Sequence, residues 1–171
     1  MAWGLDPDAA GSAVSAVREA TRKPLIVKLS PNAPHLVDVA RAAIDAGADA
    51  LSLVNTFQAF AVDLERGRPV FDNVTAGLSG PAIRPIALRM VREVALALPE
   101  CSPKASARAR VPLIGLGGIA TWQDAAEFIM AGASAVQVGT ATFANPRAMG
   151  GIVDGLEAFM ARKGYSSISD M

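Results

Sequence analysis

The chain has 171 residues, 51% apolar and 19% charged, a balance that fits one compact globular domain and excludes disordered and collagen-like chains. Sixteen Lys and Arg offset sixteen Asp and Glu, so no net field draws it to nucleic acid or to an anionic membrane, and small molecules or proteins are the expected partners. One cysteine, Cys101, and one histidine, His35, exclude an internal disulfide framework and leave too few soft ligands for a structural zinc or iron–sulfur site. No apolar run approaches the roughly 20 residues that span a bilayer, and Met1-Ala2-Trp3-Gly4-Leu5-Asp6 lacks a basic region followed by an apolar stretch, so a cytoplasmic protein is expected.

Helical periodicity first runs over residues 7–22, opening at Asp6-Pro7, where a capping aspartate and a proline suit a helix start. LIVKL (25–29) is a short apolar run of the kind buried on both faces of a parallel sheet. A helix over 33–46 closes at Gly47, and the strand ADALSLVN (48–55) follows. The connection 57–80 is long, with a turn expected at Glu65-Arg66-Gly67-Arg68-Pro69; because it follows a strand, it is placed to cover a site. A helix over 81–98 opens at Gly80-Pro81, and the second long connection, 99–111, follows that helix and so falls on the opposite face. PLIGLG (112–117), a helix over 121–131 between Thr121 and Gly132, SAVQVG (134–139) and a helix over 147–163 closing at Gly164 complete the order, one helix and then four βα units.

Repeated βα units require a parallel sheet, either open and doubly wound or closed as a (β/α)8 barrel. RAAIDAGADALSLVNT (41–56) and AAEFIMAGASAVQVGT (125–140) both read helix, Ala-Gly-Ala, strand and polar end, and such an internal repeat favours the barrel. Alanines at spacings of three and four, among them Ala42, Ala43, Ala46, Ala125 and Ala126, give smooth helix faces for close packing.

Ligands of parallel α/β folds sit at the carboxyl ends of the strands. Those ends carry Lys28, Asn55-Thr56, Gly117-Gly118 and Gly139-Thr140. The two glycine pairs, on consecutive strands late in the chain, free backbone N–H groups to converge on a phosphate, although glycine also serves tight turns. Lys28 interrupts an apolar strand and is expected to face the mouth, either as a Schiff-base nucleophile or as a fixed cation beside a group that becomes negative; a lysine snorkelling from the strand edge is the plain alternative. Asn55 and Thr56 suit a planar polar substrate, or merely cap the strand exit. His35 reads as solvated, Cys101 as remote from the mouth, and Lys104, Arg108 and Arg110 as a solvated basic loop.

The blocks PLIVKLSPN (24–32), GADALSLVNT (47–56), GLSGPAIRPIALRMV (77–91), PLIGLGGI (112–119) and AGASAVQVGTATF (131–143) resemble the class-1 dihydroorotate dehydrogenases, and the Gly-Leu-Ser-Gly-Pro-Ala-Ile stretch resembles their NAD-linked subclass. The resemblance implies an FMN-binding (β/α)8 barrel of which residues 1–171 form the C-terminal half, strands 5 to 8 with their helices. It implies Lys28 beside the flavin ring as a fixed cation, Gly80, Gly117, Gly118, Gly139 and Thr140 as FMN donors, and Asn55 and Thr56 as contacts to a pyrimidine substrate. It also implies oxidation of dihydroorotate to orotate in pyrimidine biosynthesis and a partner subunit carrying FAD and an iron–sulfur cluster. Four strands not closed into a ring would expose two strand edges and apolar sheet surface, so self-association into an oligomer is expected. The family's catalytic cysteine belongs to a loop associated with the fourth strand, upstream of Met1, so no residue here matches that base and the chain alone is expected to be inactive. A dihydropyrimidine dehydrogenase-like flavin barrel, a phosphate-binding lyase or aldolase using Lys28, and an inert half barrel needing a complementary partner are the alternatives.

Overall fold

The structure is a computed structural model that describes residues 3–101 and 111–171. Helix α1 (Pro7–Ala20) starts where Asp6 accepts from the Ala9 amide at 2.9 Å and Pro7 occupies the first turn. It ends two residues before the expected boundary, because Thr21 turns to extended backbone. Strand β1 (Ile26–Lys28), helix α2 (Leu36–Asp45) and strand β2 (Ala50–Leu53) follow. The connection from β2 holds two antiparallel pairs, β3 (Phe57–Phe60) with β6 (Thr75–Leu78) and β4 (Val62–Asp63) with β5 (Arg68–Pro69). A 3-10 turn over Pro81–Ile83 leads into α3 (Arg84–Ala97). The chain closes with β7 (Leu113–Leu116), α4 (Trp122–Met130), β8 (Ala135–Gln137), the short α5 (Ala141–Ala144) and α6 (Ala148–Lys163).

β1, β2, β7 and β8 form one parallel sheet in that order. Each strand adds to the same edge, whereas a doubly wound sheet reverses its order at a switch point. The helices form a single layer in which α1 packs on α2, α2 on α3, α3 on α4 and α4 on α6. Sheet and helices together are therefore an arc of a (β/α)8 barrel, in agreement with the sequence pattern.

Register decides which face each strand residue takes. Val27, Leu51 and Leu113 align in one row, and Leu51, Leu53 and Leu113 are fully buried against Val91, Val94 and Phe128 of the helix layer. Each such side chain contributes roughly 1.5–3 kcal/mol by leaving water. Lys28, Ser52 and Ile114 align in the alternate row, on the inner face of the arc.

The repeated Ala-Gly-Ala segments close α2 and α4 in the same way. Gly47 donates to Ile44 and Ala48 to Ala43; Gly132 donates to Ile129 and Ala133 to Phe128. Both glycines have positive φ, 100° and 120°, which an L side chain would adopt only with strain. The small residues pack as their spacing implies: Ala43 and Ala125 are fully buried, and a Cβ at Gly11 of α1 would sit 3.7 Å from that of Ala42.

The turn expected at 65–69 is displaced: it runs over residues 64–67 between β4 and β5, where Asp63 Oδ1 accepts from the amides of Glu65 and Arg66, both at 3.1 Å, and Arg68–Pro69 already form β5. Lys104, Arg108 and Arg110 lie outside the described residues. Among the described residues no helix is long and apolar enough to cross a membrane, and no group of His, Cys, Asp and Glu is placed to hold a metal ion.

Candidate functional site

The carboxyl ends of the four parallel strands open on a pocket of about 250 Å³. Lys28, Asn55, Thr56, Gly80, Gly117, Gly118, Gly139 and Thr140, all singled out in the sequence, line it together. A second cavity, between β8 and α6, shares Lys28, Leu116, Gln137 and Gly139 with it, so the two make one continuous trough.

Lys28 ends β1, solvent-exposed and with no ion pair or hydrogen bond among the described residues. Among the described residues it is the only ionisable side chain lining the pocket. An unpaired cation in a cleft with no neighbouring carboxylate attracts an anion or a group that gains negative charge.

The pocket's other end is built from glycine. Gly80, Gly117 and Gly118 have φ of 86°, 129° and 79°. A Cβ at Gly118 would come within 2.6 Å of the Gly80 carbonyl oxygen, and one at Gly117 within 2.8 Å of Ala87 Cβ, so the turn after β7 lies directly on the start of α3. A Cβ at Gly139 would meet nothing within 4 Å, leaving that side open. The amides of Gly118, Gly139 and Thr140 are taken by no loop or cap carbonyl among the described residues, and Gly139 and Thr140 lead into the first turn of α5. Loops after the last two strands together with a short extra helix are the usual phosphate site of a barrel.

The rim is held by Asn32, whose amide Nδ2 donates to the Thr56 carbonyl at 3.1 Å while its Oδ1 accepts from the Gln58 amide at 3.0 Å. Asn55 Oδ1 accepts from the Thr56 amide at 2.9 Å. These bonds fix the exit from β2, and the Asn55 amino group and the Thr56 hydroxyl remain as polar groups at the pocket edge.

Asp124 holds the turn after β7 from behind. Its Oδ2 accepts from the Ala120 and Thr121 amides, both at 2.9 Å, and its Oδ1 accepts from Arg84. Burial pushes this carboxyl up, but the two amides, the Thr121 hydroxyl and the Arg84 charge outweigh burial and leave it below its ordinary 3.8.

Sequence reading missed Ser52, Ser79, Gln137 and Phe143 in or beside the site. Ser52 donates to Gln137 Oε1 at 3.3 Å, and Gln137 lines the trough beside Lys28. Strand alternation relative to Lys28 was the available signal for Ser52. His35 sits at the start of α2 with no side-chain capping bond and lines none of these cavities. Cys101 is fully buried behind α3, where desolvation above all, and then Glu100, push its thiol up to about 12.

The family model described as dihydroorotate dehydrogenase matches residues 1–160. The chain is 51% identical over all 171 residues to the "Dihydroorotate dehydrogenase B (NAD(+)), catalytic subunit" of Geotalea uraniireducens, covering 52% of that protein. It is 53% identical to the protein of the same description from Trichlorobacter lovleyi, covering 53% of it. Among solved structures, a dihydroorotate dehydrogenase from Eimeria tenella in complex with ferulenol superposes with a TM-score of 0.73 at 26% identity, over 97% of this chain and 48% of that one. The chain thus spans about half the length of the curated relatives it matches.

Proposed function

Because the chain belongs to the dihydroorotate dehydrogenase family, we propose that it supplies the flavin-phosphate cradle, a fixed cation and a pyrimidine-recognising rim for the oxidation of dihydroorotate to orotate. The observation that carries this reading is the convergence of seven strand-end residues, from Lys28 to Thr140, and Gly80 on one pocket.

The family implies a flavin, and FMN is the form proposed here. The residues present fit it: amides at Gly118, Gly139 and Thr140 for a phosphate, open space at Gly139, and an unpaired ammonium at Lys28. When bound, the flavin supplies the redox chemistry by accepting hydride from the substrate. The chain's own residues bind and orient. The glycine amides and the Thr140 hydroxyl donate to the phosphate, Lys28 presents positive charge where the ring gains electrons, and Asn55 and Thr56 hydrogen-bond the pyrimidine. The base that removes the substrate's C5 proton is not among the pocket's side chains, since only Lys28 there ionises and Cys101 is buried elsewhere. It comes from outside these residues in this reading.

The relatives' description as a catalytic subunit implies a partner subunit. The finer proposal is that this partner carries FAD and an iron–sulfur cluster and receives the electrons.

The test titrates the purified chain with FMN and assays dye reduction by dihydroorotate, first alone and then with the half of a relative that the chain does not cover added in trans. Expected are flavin binding without turnover by the chain alone, and turnover on complementation. Absence of flavin binding in both mixtures overturns the reading, and borohydride trapping of a carbonyl substrate on Lys28 would instead establish a Schiff-base enzyme.

A further inference from the structure

We infer that the ion pair between Arg84 and Asp124 is the positioning clamp of the pocket's phosphate end, holding the turn 117–121 against the Gly80 loop; this deepens the flavin reading above and rests on it. Arg84 does not itself line the pocket. It grips the turn at both ends. At one end its Cβ and backbone nitrogen lie 2.9 and 3.0 Å from where a Cβ of Gly118 would stand, so the start of α3 and the turn are in close contact. At the other end its guanidinium bonds Asp124 Oδ1, while Asp124 Oδ2 holds the amides of Ala120 and Thr121.

Capping α4 does not require this arrangement. Asp124 completes the capping box with Thr121 locally, whereas the Arg84 bond reaches back 40 residues to another helix. A further bond from the same Nη1 to Glu127 Oε2 at 2.9 Å fixes the guanidinium between two carboxylates on α4. Gly80 belongs to the same contact, because its carbonyl oxygen is the nearest atom to a Gly118 Cβ and it accepts from the Ile83 amide at 3.1 Å just before Arg84. The amides offered by the turn after β7 thereby keep a set distance from the Gly80 loop. A cradle for a tetrahedral dianion depends on such a spacing, since its donors must be in place before the anion arrives.

The test compares wild type, Arg84→Met and Arg84→Lys in the full 171-residue chain. Two readouts are taken: the affinities for FMN and for riboflavin, which has the same ring without the phosphate, and amide hydrogen exchange over residues 117–121 without ligand. Arg84→Met is expected to weaken FMN about tenfold relative to riboflavin and to speed exchange at Ala120 and Thr121. Arg84→Lys, which keeps a cation for Asp124, is expected to recover most of both. If FMN and riboflavin weaken equally and exchange in the turn is unchanged, the clamp is overturned while the flavin reading stands. If wild type binds neither flavin, the flavin reading fails, and faster exchange in Arg84→Met alone would still support the clamp as a device of the turn.

Discussion

The Ser52 hydroxyl donates to the Gln137 carboxamide oxygen at 3.3 Å, joining β2 to β8 over the intervening β7. The two residues are 85 positions apart, and the bond forms because strand alternation brings both to the inner face of the arc. The bond engages the Gln137 carboxamide oxygen, and Gln137 lines the same pocket as Lys28.

Ser52→Ala is expected to cost about 1 kcal/mol in urea unfolding, because Ser52 is buried and loses one bond while Gln137 is exposed and can hydrate. Its larger effect should be on ligand orientation, read as a changed absorption spectrum of the bound flavin. A loss of stability beyond about 3 kcal/mol would mean that the bond is a principal tie of the sheet.

Gly118→Ala and Gly139→Ala should both weaken FMN but differ in stability. At Gly118 the positive φ costs about 1–2 kcal/mol for an L residue, and the Gly80 oxygen at 2.6 Å adds a clash, so the melting temperature and FMN affinity both fall. At Gly139 the Cβ meets nothing within 4 Å, so stability should stay within about 0.5 kcal/mol while the methyl intrudes on the pocket and weakens FMN. Paired melting curves and flavin titrations check this; equal destabilisation by the two variants would contradict it.

The Asp124 carboxyl is held below its ordinary value of 3.8, so its folded state binds its proton less readily than the unfolded chain does. The corresponding stability is present above that ordinary value and is lost as the pH falls through the folded one. Asp124→Asn should therefore be less stable than wild type at pH 6 by about 1–3 kcal/mol and should approach wild type as the pH falls below 3.8. Urea midpoints at a series of pH values test the sign, and a gap that widens toward acid would refute it.

Cys101 is fully buried, with its thiol pushed up to about 12 by desolvation first and Glu100 second. At pH 8 only about one thiol in ten thousand is then thiolate. A disulfide reagent is expected to label the native chain very slowly and the urea-unfolded chain at once. Rapid stoichiometric labelling of native protein would place the thiol at the surface instead.

The parallel strands and the main helices were legible because both signals are strong: short apolar runs for the strands, although only β2 is buried on both faces while β1 and β8 expose alternate residues at the edges of the arc, and a 3.6-residue period closed by Gly47, Gly132 and Gly164. The pocket was legible because a parallel sheet presents its strand ends on one side, which brings Lys28 and Gly139 together whatever the packing of the helices. The paired strands within 57–80 were not. Val62–Asp63 and Arg68–Pro69 are two residues each, too short for a period, and Phe60, Val62, Leu64 and Val70 are exposed, so burial does not write an alternation into the sequence. The Arg84–Asp124 bond was equally hidden, because an arginine and an aspartate 40 residues apart carry no local pattern that pairs them.

The most direct measurement is a crystal structure of the chain soaked with FMN. The phosphate is expected within hydrogen-bond distance of the Gly118, Gly139 and Thr140 amides, with the ring running along the inner face to Lys28. Flavin bound elsewhere, or bound with its phosphate turned toward Lys28 and away from the glycine turns, would contradict the assignment of this pocket.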